Sequence, residues 1–140
     1  MDREQRFEAI AVATAAMLTP LADAILADTT VRIIRGPTVG MVMLQARESV
    51  EGIRFNVGEV LVTEALVAVD GHQGYAMVQG MAREHALAGA ICDAAVEADH
   101  ADATRILAVL RDANERAVQE YRAQWAAVAG TRVSFEEMGA

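Results

Sequence analysis

The sequence predicts an α+β domain: one antiparallel sheet of about four strands, with helices packed mainly on one face. Three observations predict it. Residues 60–69 are apolar at eight of ten positions, interrupted only by Thr63 and Glu64, and their length and β-branched content suit a strand covered on much of both faces. Asp70-Gly71 follows at once and a short run, 74–79, returns; this is a hairpin signal, because Gly accepts the positive φ of a tight turn. After Gly80 the apolar period changes from two to about 3.6, the helical value.

The elements follow in chain order. Phe7, Ile10, Ala11, Thr14, Met17 and Leu18 fall on one face of an amphipathic helix. Thr19-Pro20 is expected to stop it and to start a second, short helix carrying Leu21, Ala24, Ile25 and Ala27, since Thr caps helices and Pro suits their first position. Residues 31–35 read as a short strand interrupted by Gly36-Pro37, and 39–46 as the next strand, with Met41 and Met43 on one face and Val42 and Leu44 on the other. Residues 48–52 form a loop, and Phe55 to Glu59 approach the central strand. A four-residue loop, 70–73, joins the central strand to its antiparallel neighbour.

In the segment 82–98, Ala86, Ala90 and Ala94 lie along one line with Leu87 and Ile91 beside it, a small-residue face suited to close packing. From Ala101 a longer helix carries Leu107, Leu110, Ala117, Tyr121, Trp125 and Val128 at heptad a/d spacing. Arg111 with Glu115, and Asp112 with Arg116, sit four apart as a solvated face. Gly130 is expected to end this helix. The remaining tail, with Val133, Phe135 and Met138, is expected to pair as a strand with a sheet edge, its own or another subunit's, because a terminus is held only by burial.

The chain has 140 residues, which fits one domain, 1–140, able to bury roughly two-thirds of its unfolded surface. It is 54% hydrophobic with only 4% aromatic residues, so the core must come from small aliphatic side chains. A net charge of -8 disfavours nucleic acid and anionic membrane, both polyanions. All twelve basic residues are Arg. Cys92 is the single cysteine, so no disulfide framework and no Cys-based zinc site is expected. Asp2, Glu4 and Glu8 among the first residues are unlike the positive start of a secretory signal, and no apolar run approaches the roughly 18 residues of a span. A cytoplasmic protein is expected.

Chemistry is sparse. The chain has no phosphate loop, dinucleotide-binding glycine pattern, HExxH or nucleophile elbow. His85, in the first turn of a helix beside Arg83 and Glu84, is placed to act as acid or base or to meet an anion; a lone histidine there is also an ordinary packing residue. Cys92, seven residues on, shares its face but makes too few ligands for zinc, and reads as a small buried hydrophobe. Glu59 and Glu64 are five apart on a strand and point to opposite faces, so they cannot work as a carboxylate pair. His72 and His100 read as exposed loop residues.

Several blocks resemble one family: VGMVMLQAR around Gly40, RFNVGEVLVTEALV, DGHQGYAMVQG, His85-Ala86 with Asp93 further along, and the tail TRVSFEEM. In this order they are similar to PhnG, the G subunit of the phosphonate carbon–phosphorus lyase machinery, over roughly residues 30–138. The pattern departs after Gly80, where Ala82 and Leu87 stand at positions that are acidic in the family. The resemblance implies an accessory subunit of a multi-subunit transferase. That enzyme displaces adenine from ATP with an alkylphosphonate, and the chain would work beside the H, I, J and ATPase-like L subunits, with I the most direct partner.

On this reading Arg47, Phe55, Asn56, Gly58, Glu59, Thr63, Gly80, Arg83 and Phe135 are candidate interface or ligand-proximal residues. His85 is the candidate catalytic group. No cofactor or metal is expected on this chain, and a homodimer is possible in isolation. Two other readings compete: a free-standing homo-oligomeric binding module, and a small enzyme using His85 as base with Asn56 or Thr63 polarising its substrate.

Overall fold

The computed structural model describes residues 1–131. Its first helix, α1 (Arg3–Val12), opens with a reciprocal cap: the Asp2 carboxylate accepts the Gln5 N–H, and the Gln5 side chain accepts the Asp2 N–H, both at 2.8 Å. The chain turns at Ala13. Thr14 then caps α2 (Ala15–Asp28), its hydroxyl accepting from Met17 N at 3.3 Å. The break expected at Thr19-Pro20 therefore falls five residues earlier, and Pro20 lies inside α2. It forfeits one helical hydrogen bond, while Leu18, Leu21, Ala22 and Ile25 bury a continuous face around it.

The sheet has three antiparallel strands in the order β1-β2-β3: β1 (Val31–Arg47), β2 (Arg54–Val69) and β3 (His72–Gln79). The α+β class and the antiparallel sheet are as expected, with three strands in place of about four. Residues 31–35 and 39–46 belong to one strand, because Gly36-Pro37 is absorbed as a bulge. Arg35 faces Leu66 and Thr38 faces Glu64, so these two residues together oppose Ala65. Gly36 has φ +84, and a Cβ there would lie 2.6 Å from the Glu64 carbonyl. The Asp70-Gly71 hairpin is tighter than the four-residue loop expected: Val69 pairs with His72, and both turn residues have positive φ, the two-residue type I′ geometry.

One face of the sheet is built from Thr63, Ala65 and Val67 of β2, opposite Val78, Ala76 and Gly74 of β3. The helix α3 (Arg83–Glu97) lies on it, with Ala86, Ala90 and Ala94 buried as their spacing predicts. At Gly74 a Cβ would run into the Ala90 carbonyl and the Ala94 amide of α3. Only Gly admits this approach of strand to helix. Next, α2 packs on α3, while α1 meets β3, α3 and α4 (Ala103–Thr131) and buries Arg6, Ala9 and Ile10. Ile106, Leu110 and Ala113 are the buried face of α4. Its later heptad residues Tyr121, Trp125 and Val128 are exposed, because α4, at about 43 Å, outruns the helices it packs on. It also continues through Gly130 to Thr131. The expected tail pairing, and with it Phe135, lies outside the described residues.

Candidate functional site

Two places collect the singled-out residues. The first is the corner where β3 hands over to α3. Gly80 takes φ +86 and donates to the Leu61 carbonyl at 2.7 Å. Thr63, fully buried on β2, donates to the Gly80 carbonyl at 2.6 Å and accepts from Ala82 N at 2.9 Å. Ala82 cannot cap α3 with its own side chain, so the Thr63 hydroxyl ties down the entry to that helix. Both of its hydrogen-bonding roles are thereby occupied.

His85, in the first turn of α3 and half-buried, sets Nε2 at 2.8 Å from the Ile10 carbonyl in the last turn of α1. A carbonyl only accepts, so Nε2 carries the proton and Nδ1 is the nitrogen left for other chemistry. The ring thus joins α1 to α3. Arg83 is exposed beside it, and Glu84 accepts from the Thr19 hydroxyl at 3.0 Å. Gly80, Thr63, Arg83 and His85 are therefore brought to one corner.

The second place is the far half of the β1–β2 hairpin. Strand β3 pairs only with β2 from Val62 to Val69, so residues 54–61 of β2 pair with β1 alone. They form a two-stranded ribbon about 26 Å long. Arg47 faces Arg54, Ala46 faces Phe55, Gln45 faces Asn56 (side chains 3.4 Å apart), Leu44 faces Gly58 and Met43 faces Glu59, with a bulge at Val57. Arg47, Phe55, Asn56, Gly58 and Glu59 are thus neighbours on the ribbon. Asn56 is seven strand residues, about 23 Å, from Thr63, so ribbon and corner do not converge on one small substrate.

The ribbon is apolar and uncovered. Met41, Met43, Leu44, Val50, Ile53, Phe55 and Val57 are all at least half exposed, Met41 at 60% and Phe55 at 50%. At its tip Glu48 accepts the Val50 and Glu51 amides at 2.7 and 2.6 Å, and these bonds hold its carboxyl below the usual carboxylate range. The loop is a formed cap.

Sequence reasoning missed a buried charge cluster. Arg6 Nε donates to Asp93 at 2.8 Å and its Nη2 to Glu97; Asp93 also accepts the Tyr75 amide at 3.0 Å. Arg6 and Asp93 are both almost wholly buried. Burial works to lower the Arg6 pKa, but the bonds and charges of Asp93 and then Glu97 outweigh it and raise the pKa. The available signal was Asp93 itself, one acid inside the apolar run 86–95. On the other sheet face the Tyr75 hydroxyl donates to Glu64 at 2.6 Å, with Arg35 3.8 Å from that carboxylate. Burial, then the Glu64 bond, pushes the phenol up to about 12.

Cys92 and His100 have structural surroundings. Burial, then the Asp93 charge, pushes the Cys92 thiol up to about 12, an inert group. His100, expected to be exposed, has a buried side chain: Nε2 donates to Asp28 at 2.7 Å while Nδ1 accepts from Asp102 N at 3.0 Å. An acceptor and a donor for the two ring nitrogens are found where α2 ends and α4 begins, which draws the loop inward. His72 is exposed as read, and Asp112–Arg116 pairs at 3.0 Å on an exposed face of α4. Among the described residues no group of three or more His, Cys, Asp or Glu side chains is placed to hold a metal, and no helix is long and apolar enough to cross a membrane.

A sheet-and-helix body with an uncovered apolar arm and a pinned strand-to-helix corner is what this sequence builds, and its whole length bears on what it is. The family model for phosphonate metabolism protein PhnG matches residues 1–139, so the chain belongs to the PhnG family.

Proposed function

We propose that this chain is an accessory subunit of the cytoplasmic carbon–phosphorus lyase core complex. There it supports transfer of the ribose triphosphate of ATP to an alkylphosphonate with release of adenine. Membership of a phosphonate metabolism family supports the pathway, and one structural observation carries the subunit role. The ribbon 39–61 exposes seven large apolar side chains at half or more of their surface, where a self-sufficient protein would leave at most a small patch uncovered. Such a surface gains most by being buried against another polypeptide.

In this reading Arg47, Phe55, Asn56, Gly58 and Glu59 belong to the subunit interface. Thr63, Gly80, Arg83 and His85 shape a corner whose exposed cation, Arg83, faces a ligand or partner. The partners are the H, I, J and L subunits, with I the direct neighbour, and catalysis requires the assembly. Co-purification of this chain with the I subunit tests it, together with adenine release from ATP and methylphosphonate assayed with and without the chain. Adenine release is expected only when the chain is present, and none from the chain alone. Release by the highly purified chain, abolished in His85→Ala, would overturn the accessory role.

A further inference from the structure

We infer that residues 39–45 of β1 form a self-complementary edge through which two copies of this chain pair about a two-fold axis at Val42, extending the sheet from three strands to six. This association concerns the isolated chain and does not depend on the role proposed above. The edge divides sharply. Along residues 31–38 it is blunted by charge, irregularity and proline: Arg32 and Arg35, bulges at Ile34 and Gly36-Pro37, and Pro37 itself. Along residues 39–45, Val-Gly-Met-Val-Met-Leu-Gln, it has no charge, no proline and an unbroken register from Val39 to Leu44. Among the described residues no strand lies on this side of β1. A flat, uncharged apolar edge is the feature that soluble proteins otherwise avoid, because it templates another strand.

The occupant that fits is a second copy. Antiparallel pairing about Val42 sets Val42 against Val42, Met41 against Met43 and Gly40 against Leu44, uncharged apolar pairs on both faces of the sheet, with Val39 against the neutral Gln45 at either end. The nearest charge beyond this core, Arg47, falls opposite Pro37, so no like charges meet across the axis. Charge in the wider segment also permits it. Residues 31–69 carry four arginines (Arg32, Arg35, Arg47, Arg54) and four glutamates (Glu48, Glu51, Glu59, Glu64), a net charge of zero. The excess of -8 therefore comes from residues outside this segment. Such an interface is isologous, the commonest closed arrangement of identical chains. Seven residues give a contact only about 23 Å long, short of the ~800 Å² per partner of a standard interface, so association belongs in the micromolar range.

Sedimentation velocity on the full chain from about 5 to 200 µM, spanning that micromolar range, tests the pairing. The wild type is expected to move from 15.0 kDa to twice that mass. Val42→Lys and Val42→Glu, at a surface position, are each expected to stay monomeric with an unchanged circular dichroism spectrum, and their equimolar mixture to recover the dimer, because residue 42 meets its own copy. A wild type that stays at 15.0 kDa, a Val42→Lys dimer, or a mixture that fails to associate overturns the pairing. So does dissociation by Trp125→Ala with no effect of Val42→Lys, which would place the contact on α4. Should either charged variant misfold, Leu44→Lys tests the same edge two residues away, and dimerisation of that variant overturns the pairing equally.

Discussion

The buried cluster of Arg6, Asp93 and Glu97 gives the sharpest stability test. Arg6→Met removes the cation but leaves Asp93 buried, with only the Tyr75 amide at 3.0 Å and the largely exposed Arg3 at 3.9 Å for company. Stranding one member of a buried pair costs about 3–5 kcal/mol, a large part of the ~5–15 kcal/mol that holds a domain together. Asp93→Asn keeps an acceptor for the Tyr75 amide, and Arg6 retains Glu97 and the Met1 carbonyl, so about 2–3 kcal/mol is expected. With both changed, no uncompensated charge remains except Glu97, whose side chain reaches solvent. The double variant should therefore be more stable than the sum of the singles by about 1.5–3 kcal/mol. Urea unfolding followed by circular dichroism measures all four proteins. Additivity within about 0.5 kcal/mol, or an Arg6→Met loss below about 1 kcal/mol, would refute the cluster as a coupled buried unit.

Other outcomes follow from single sites. Gly74→Ala should cost about 3 kcal/mol or more, because the new methyl meets the backbone of α3 at Ala90 and Ala94, and not the tip of a flexible side chain; a urea midpoint unchanged from wild type would refute the close approach. Thr63→Val should cost about 1–3 kcal/mol by leaving the Ala82 amide and the Gly80 carbonyl without the hydroxyl, and should speed amide exchange at the start of α3; undisturbed exchange there would count against the tie. In alkali, Cys92 and Tyr75 both hold their protons to about 12 in the folded chain, whereas unfolded thiols and phenols lose them near 8.5 and 10. The unfolded state then binds fewer protons, so stability should fall as pH rises from about 9 to 12. Cys92→Ala should flatten the first part of that fall, and an unaltered pH profile would show that the thiol is not shielded.

Much of this architecture was legible because local signals and tertiary packing agree. Ala86, Ala90 and Ala94 announce the face of α3 by spacing alone, and Asp70-Gly71 announces the hairpin by the φ its turn requires. What was illegible depends on residues far apart in the chain. Pro20 looks like a boundary until Thr14 is seen capping α2 and Ile25 burying its far side. Gly36-Pro37 looks like the end of a strand until Ala65 is seen opposite both. His100 reads as a loop residue because Asp28, its partner, lies 72 positions away, and the burial of Arg6 depends on Asp93, 87 positions away. At the candidate site, spacing placed Glu59 and Glu64 on opposite faces. Nothing in the sequence showed that Asn56 and His85 stand on separate features, since that follows from β3 ending at Gln79 while the β1–β2 ribbon continues past it.

The central claim, that the exposed ribbon seats this chain in a larger phosphonate-processing assembly, is tested most directly by a charge placed on that ribbon. Phe55→Asp, at a half-exposed position opposite Ala46, should leave the isolated chain folded, with a urea midpoint within about 0.5 kcal/mol of wild type, as for surface changes generally. Co-expressed with the H, I and J subunits, it should fail to co-purify, and adenine release from ATP and methylphosphonate should fall to the level of preparations lacking this chain. Incorporation at wild-type stoichiometry with full adenine release would contradict the claim.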